Sequence, residues 1–102
     1  MHTLANIPAF EKFLTDNQLA LVDFSATWCG PCRMLTPVLE KLSEKPDLAI
    51  AKVDIDANVE LGARHNIQSV PSLLLFKNGE LIDRKFGARP GAEIEAWVRS
   101  HM

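Results

Sequence analysis

Two strand-length apolar runs separated by one amphipathic helix constrain this chain more than any other feature. Residues Leu19 to Ala26 read Leu-Ala-Leu-Val-Asp-Phe-Ser-Ala, nearly continuous in apolar character, with Asp23 as the odd residue. A sheet with one wet face alternates polar and apolar positions, so a run like this predicts a strand covered on both faces. From Pro31 to Lys45, Met34, Leu35, Val38, Leu39 and Leu42 make one helical stripe in which Pro37 predicts a kink, and Pro46 ends it. Leu48 to Asp54 is a second buried strand, with Lys52 among apolar neighbours. Strand, crossover helix and strand in that order give a parallel pair.

The remaining segments extend this unit on both sides. Ile7, Phe10, Phe13 and Leu14 recur at helical spacing behind Asn6 as N-cap and Pro8 in the first turn, which predicts a helix over about Ile7 to Asn17. Met1 to Leu4 adds at most a short strand. After the second buried strand, Asp56 or Asn58 is placed to cap a short helix ending near Asn66. Ser72 to Lys77 and Glu80 to Phe86 flank Asn78-Gly79, a strong hairpin signal that makes these two strands antiparallel. A last helix, about Pro90 to His101, sets Ile94, Trp97, Val98 and His101 on one face.

The expected order is β, α, β, α, β, α, β, β, α, an α/β fold with a mixed sheet of four to five strands and helices on both faces. With 102 residues, no repeat and no Gly/Ser-rich linker, the chain is expected to form one domain over 1–102. Its 11 Lys and Arg against 13 Asp and Glu supply no excess of positive charge, so a nucleic-acid binder is not expected. No apolar stretch approaches the length of a membrane span. The N-terminus lacks the basic start and apolar segment of a secretory signal, and a reducing, cytoplasmic location is the default expectation.

Ligands in such sheets sit beyond the carboxyl ends of strands, and Trp28-Cys29-Gly30-Pro31-Cys32 falls there, between the Leu19 strand and the Pro31 helix. Cys29 at the helix start meets unpaired backbone N–H groups and the positive end of the helix dipole, which favour its thiolate, so it is expected to be the nucleophile. Cys32 follows one turn later on the same face, at a spacing near what a disulfide needs, and is expected to be the resolving thiol. Pro31 fixes the backbone between them. The plain alternative is two cysteines placed by chance. A zinc site would require four ligands, and beyond this pair the chain has only the scattered His2, His65 and His101, so no metal is expected.

Asp23, six residues before Cys29 on an apolar strand, would be poorly solvated when ionised, and its pKa is expected to be raised. A carboxyl titrating near neutrality can exchange a proton with Cys32, and Lys52 on the neighbouring strand is the nearest candidate cation to hold it. The structural alternative makes Asp23 the last polar residue before a loop and lets Lys52 snorkel to water.

Together, Val22-Asp23-Phe24, Ala26-Thr27-Trp28-Cys29-Gly30-Pro31-Cys32, Lys52-Val53-Asp54, Val70-Pro71-Ser72 and Phe76-Lys77-Asn78-Gly79-Glu80 resemble the thioredoxin family over nearly the whole chain. The resemblance implies the thioredoxin fold and a protein-disulfide reductase with no bound cofactor. Its redox centre would be the Cys29-Cys32 disulfide, recharged by a thioredoxin reductase that draws on NADPH. It further implies that Cys29 attacks, Cys32 resolves, Asp23 acts as general acid or base with Lys52 as partner, and Pro71 is a cis-proline. Trp28, Gly30, Pro31, Val70, Pro71, Gly87 and Ala88 would form the surface on which disulfide-containing protein substrates lie, with the protein acting as a monomer.

Three positions depart from the family pattern. Ser25 stands where bacterial members usually carry a large aromatic, Arg33 replaces the usual Lys but keeps its charge, and the N-terminal strand is abbreviated, so the fifth strand is expected to be weak or missing. A different class of function, a binding module or chaperone whose dithiol only switches its surface, uses the same apolar rim. An insulin-reduction assay separates the two. An oxidant that installs disulfides is disfavoured by the Gly-Pro spacer.

Overall fold

The apolar run forms a strand at Leu19–Ser25 (β2), and the rest of the fold is arranged around it. The computed structural model describes residues 1–102. Its other strands are β1 (His2–Thr3), β3 (Ala49–Asp54), β4 (Ser72–Lys77) and β5 (Glu80–Phe86), in one five-stranded sheet ordered β1-β3-β2-β4-β5. On one side β2 runs parallel to β3, with Asp23 opposite Lys52. On the other it runs antiparallel to β4, with Asp23 opposite Leu73. Being central in hydrogen bonding and covered above and below, β2 has no position for a solvated side chain beyond its first residue, which is why its sequence is apolar throughout.

The helices are α1 (Ile7–Asp16), α2 (Gly30–Ser43), α3 (Val59–Arg64) and α4 (Gly91–Arg99). Alternation along the strands deals their side chains to two cores. Ala20, Val22 and Phe24 of β2, Ala51 and Val53 of β3, and Leu74 and Phe76 of β4 pack with Phe10 and Phe13 of α1 and Leu61 of α3. Leu21, Ile50, Leu73 and Leu75 pack on the opposite face with Leu35, Leu39 and Leu42 of α2 and Ile94, Trp97 and Val98 of α4. Each large aliphatic or aromatic side chain buried this way is worth about 1.5–3 kcal/mol of transfer free energy.

Local signals account for the boundaries. Asn6 caps α1 by accepting from the Ala9 N–H at 2.9 Å. The helix ends one residue earlier than the periodicity predicts, because the Asn17 amide turns back to donate to the Phe13 carbonyl. Asn58 occupies the cap position of α3, yet its side chain donates to the Asp54 carbonyl and caps no N–H. α2 and α4 also stop short of Lys45 and His101, in final turns closed by tighter i to i−3 bonds such as Lys45 N–H to Leu42 carbonyl and His101 N–H to Val98 carbonyl. In the β4–β5 hairpin Asn78 and Gly79 both have positive φ, 53° and 82°, as a two-residue type I′ turn demands. The weak fifth strand is present but has only two residues, pairing His2 with Ala51 and Thr3 with Lys52.

Candidate active site

β2 delivers the chain to the site and α2 receives it. Gly30 and Pro31 occupy the first helical positions of α2, where a missing proline N–H costs nothing, and Cys29 is the capping residue. Its Sγ accepts from the Cys32 N–H at 3.2 Å, so sulfur does at this helix start what a Ser or Asp oxygen does at others. The Cys29 and Cys32 Cα atoms are 5.3 Å apart and the two sulfurs are joined as a disulfide. Both cysteines are buried, packed with Ala26, Ile55 and Val70.

A second segment comes from the loop before β4. The Val70-Pro71 peptide bond is cis, and the Val70 carbonyl oxygen lies 3.7 Å from Cys29 Sγ. The Gly87 N–H, just past β5, donates to the Pro71 carbonyl at 2.9 Å, tying a third segment to the same end of the sheet. Gly87 takes φ of 82°, a left-handed conformation a side chain would strain. Trp28 is no core aromatic: it is 66% exposed, and its indole N–H donates to Asp56 at 2.9 Å. Gly30, Pro31, Val70, Gly87 and Ala88 also reach the surface, and Pro71 is buried beneath them.

Asp23 shares the α2-facing side of β2 with Leu21 and Ser25 and is fully buried. Neither carboxyl oxygen has a hydrogen-bond partner, nor does the Ser25 hydroxyl. Burial pushes the carboxyl up to about 7, against a smaller opposing pull from the Lys52 charge. The raised titration anticipated from the sequence is therefore present, with desolvation as its cause. Lys52 acts on Asp23 through its charge and not through a hydrogen bond. It neighbours Asp23 across the β2–β3 ladder, but its ammonium donates to the Thr36 hydroxyl at 3.3 Å and does not bond the carboxyl. A lysine stem leaving the strand beside Asp23 is long enough to find a neutral acceptor on α2 while its own environment is still half open to water.

The thioredoxin family model matches residues 2–100. The chain belongs to the thioredoxin family. Thioredoxin from Coprinus comatus is 36% identical over 105 residues, covering 100% of this chain and 98% of that protein. Thioredoxin from Bacillus subtilis is 38% identical over 90 residues, covering 86% of each. Among solved structures, a mutant thioredoxin from Halobacterium salinarum superposes with a TM-score of 0.93 at 35% identity, over 97% of this chain and 88% of that one. The fold is thus the thioredoxin fold, and the chain is a thiol-disulfide oxidoreductase with a redox-active cysteine pair. No group of three or more His, Cys, Asp or Glu side chains is placed to hold a metal ion, and no helix is long and apolar enough to cross a membrane.

Two residues of the site carried no sequence signal strong enough to single them out. Asp56 lies in a turn rich in acids, where only the fold shows that it meets the Trp28 indole. Thr36 reads as a neutral helix position, although a threonine one turn after a helix-start cysteine is placed to bond back to the carbonyl there.

Proposed function

We propose that this thioredoxin-family member reduces protein disulfides by a two-step exchange in which Cys29 attacks and Cys32 resolves. In the reduced protein the Cys29 thiolate attacks one sulfur of a substrate disulfide. A Cys29–substrate bond forms as the substrate S–S bond breaks, and the departing thiolate takes a proton. Cys32 then loses its proton and attacks Cys29 sulfur. The mixed disulfide breaks, the second substrate thiol leaves, and the two electrons gained by the substrate are those lost in closing the Cys29–Cys32 bond.

The observation that carries this assignment is the position of Cys29 Sγ as the cap of α2. The Cys32 N–H points at it and the helix start surrounds it with positive potential, so a thiolate is stabilised there. Asp23 serves as the base for Cys32. A carboxyl titrating at about 7 is part ionised at neutral pH and can accept the Cys32 proton in one step and return it when the site reopens. Lys52 supplies the charge that keeps the carboxylate accessible despite its burial.

Trp28, Gly30, Pro31, Val70, Pro71, Gly87 and Ala88 form the surface that receives the substrate chain, whose disulfide is presented between the Val70 backbone and Cys29. A thioredoxin reductase returns the electrons from NADPH, and no cofactor is bound. We further infer a single-domain, monomeric protein acting in the cytoplasm. Replacing Cys32 by Ser tests the order of attack: the variant should hold substrates as mixed disulfides on Cys29 while losing insulin reduction. Capture through neither cysteine, or trapping by Cys29→Ser instead, overturns the assignment.

A further inference from the structure

The Thr36 hydroxyl both donates and accepts. It donates to the Cys32 carbonyl at 3.1 Å and accepts from the Lys52 ammonium at 3.3 Å, so one side chain on α2 links the backbone of the inner cysteine to the cation on β3. Lys52 takes part in none of the ion pairs of the fold, and the Thr36 hydroxyl is the side-chain group that its ammonium bonds. Asp23, its neighbour across the ladder, keeps both carboxyl oxygens unbonded.

We propose that Thr36 is a positioning residue of the dithiol centre, its hydroxyl fixing the Lys52 ammonium beside the buried Asp23 carboxyl without letting the two join as an ion pair. Two constraints meet at this hydroxyl. A lysine free to bond Asp23 directly would hold the carboxylate ionised and end its usefulness as a proton acceptor and donor around neutrality. A lysine free to leave for water would withdraw the one charge whose field opposes the desolvation of Asp23. Lys52 is alone in this role: it is the one charge that acts on the carboxyl, β4 brings Leu73 opposite Asp23, and the buried residues of α2 are the apolar Leu35, Leu39 and Leu42 with Cys32 of the disulfide.

Without the hydroxyl, the half-exposed Lys52 is expected to move outward, since an ammonium facing a methyl group gains more from water than from further burial. The inference rests on the proposed role of Asp23 for its catalytic meaning, but its geometry is tested separately. In the reduced protein, the Asp23 carboxyl carbon followed by NMR should titrate roughly 0.5–1 pH unit higher in Thr36→Val than in the parent. Thr36→Ser, which restores the hydroxyl, should titrate as the parent does. Thr36→Ala makes the same deletion with less bulk if the valine variant folds poorly.

In a Lys52→Met background, Thr36→Val should leave the Asp23 midpoint where Lys52→Met put it, because the charge being positioned is gone. An unchanged or lowered midpoint in both hydroxyl-less variants, a shift shared by Thr36→Ser, or a shift that survives in the Lys52→Met background overturns the proposal. The insulin-reduction rate, measured from pH 6 to pH 9, should move its acid limb with the NMR midpoint. If Asp23→Asn leaves that rate unchanged while the NMR shift is present, the base role of Asp23 fails and the positioning by Thr36 stands.

Discussion

The two faces of β2 differ in what they bury, and the difference separates holding the fold together from doing chemistry. Toward α1 and α3 the strand presents Ala20, Val22 and Phe24. The titratable group there is the His65 ring, which packs tilted and edge-on among Phe10, Phe24 and Phe76 at centroid distances of 5.0, 5.5 and 5.6 Å. Toward α2 and α4 the same strand presents Leu21, then Asp23 and Ser25 with no bonding partners. A buried polar atom without a partner costs about 1–3 kcal/mol, so the second face gives up stability next to the dithiol while the first carries no such cost.

The two faces also respond to pH with opposite sign. On the α2 side Asp23 titrates higher in the fold, at about 7, than the ordinary value of 3.8. Between those values the unfolded chain has lost the proton that the folded one keeps, so stability falls as pH rises through this window and the whole cost is present above it. On the other side burial holds the His65 imidazole below its ordinary value, against a weaker pull upward from its bond to the Leu61 carbonyl. There the unfolded chain takes up the proton first as pH falls below about 6.5, and stability is lost toward acid.

The sharpest way to break this contrast is to hollow out the structural face. Phe24→Ala removes a fully buried ring from between α1 and α3 and should cost about 3–5 kcal/mol in urea unfolding at any pH. A loss below about 1 kcal/mol would mean that this face is not where the stability lies.

Asp23→Asn acts on the other face with the opposite sign. It should raise unfolding stability at pH 8 by up to about 4 kcal/mol, the upper bound set by a shift of about 3 pH units, and gain little near pH 3 where both states are protonated. The same variant should reduce insulin more slowly. Destabilisation at pH 8 would show a carboxylate well paired in the fold, contrary to its unbonded oxygens.

A smaller effect is expected from His65→Phe, which keeps an aromatic ring among Phe10, Phe24 and Phe76 but cannot take up a proton. Its stability should fall less than the parent's between pH 7 and pH 5, and equal slopes would remove His65 from the account. Trp28→Ala should change stability least, within about 0.5 kcal/mol, because the ring is mostly in water, yet slow insulin reduction if that ring supports substrate.

Much of this is legible in the sequence. Nine elements were readable in order, because each rests on a local rule: period 2 or 3.6 in the apolar residues, Asn6 before a helix, Asn78-Gly79 between strands. The dithiol loop was legible for the same reason, since cap, proline and cysteine spacing are contained within five residues. Helices end one to two residues short of their periodic pattern where a side chain or a tight final turn closes them, as Asn17 does for α1.

By itself, then, the sequence determined the alternation of strands and helices, the placement of the cysteines at a helix start and the burial of a carboxyl on a central strand. Each follows from residues close together in the chain. The tertiary structure alone decided that β3 lies between β1 and β2, that the Val70 carbonyl lies against Cys29 while Gly87 is tied to Pro71, and that Lys52 bonds Thr36 and leaves Asp23 unbonded. The last of these turns on whether a flexible four-carbon stem meets a hydroxyl on α2 or a carboxyl on β2. That choice is made by how closely helix and sheet pack, a distance that no pattern along the chain encodes.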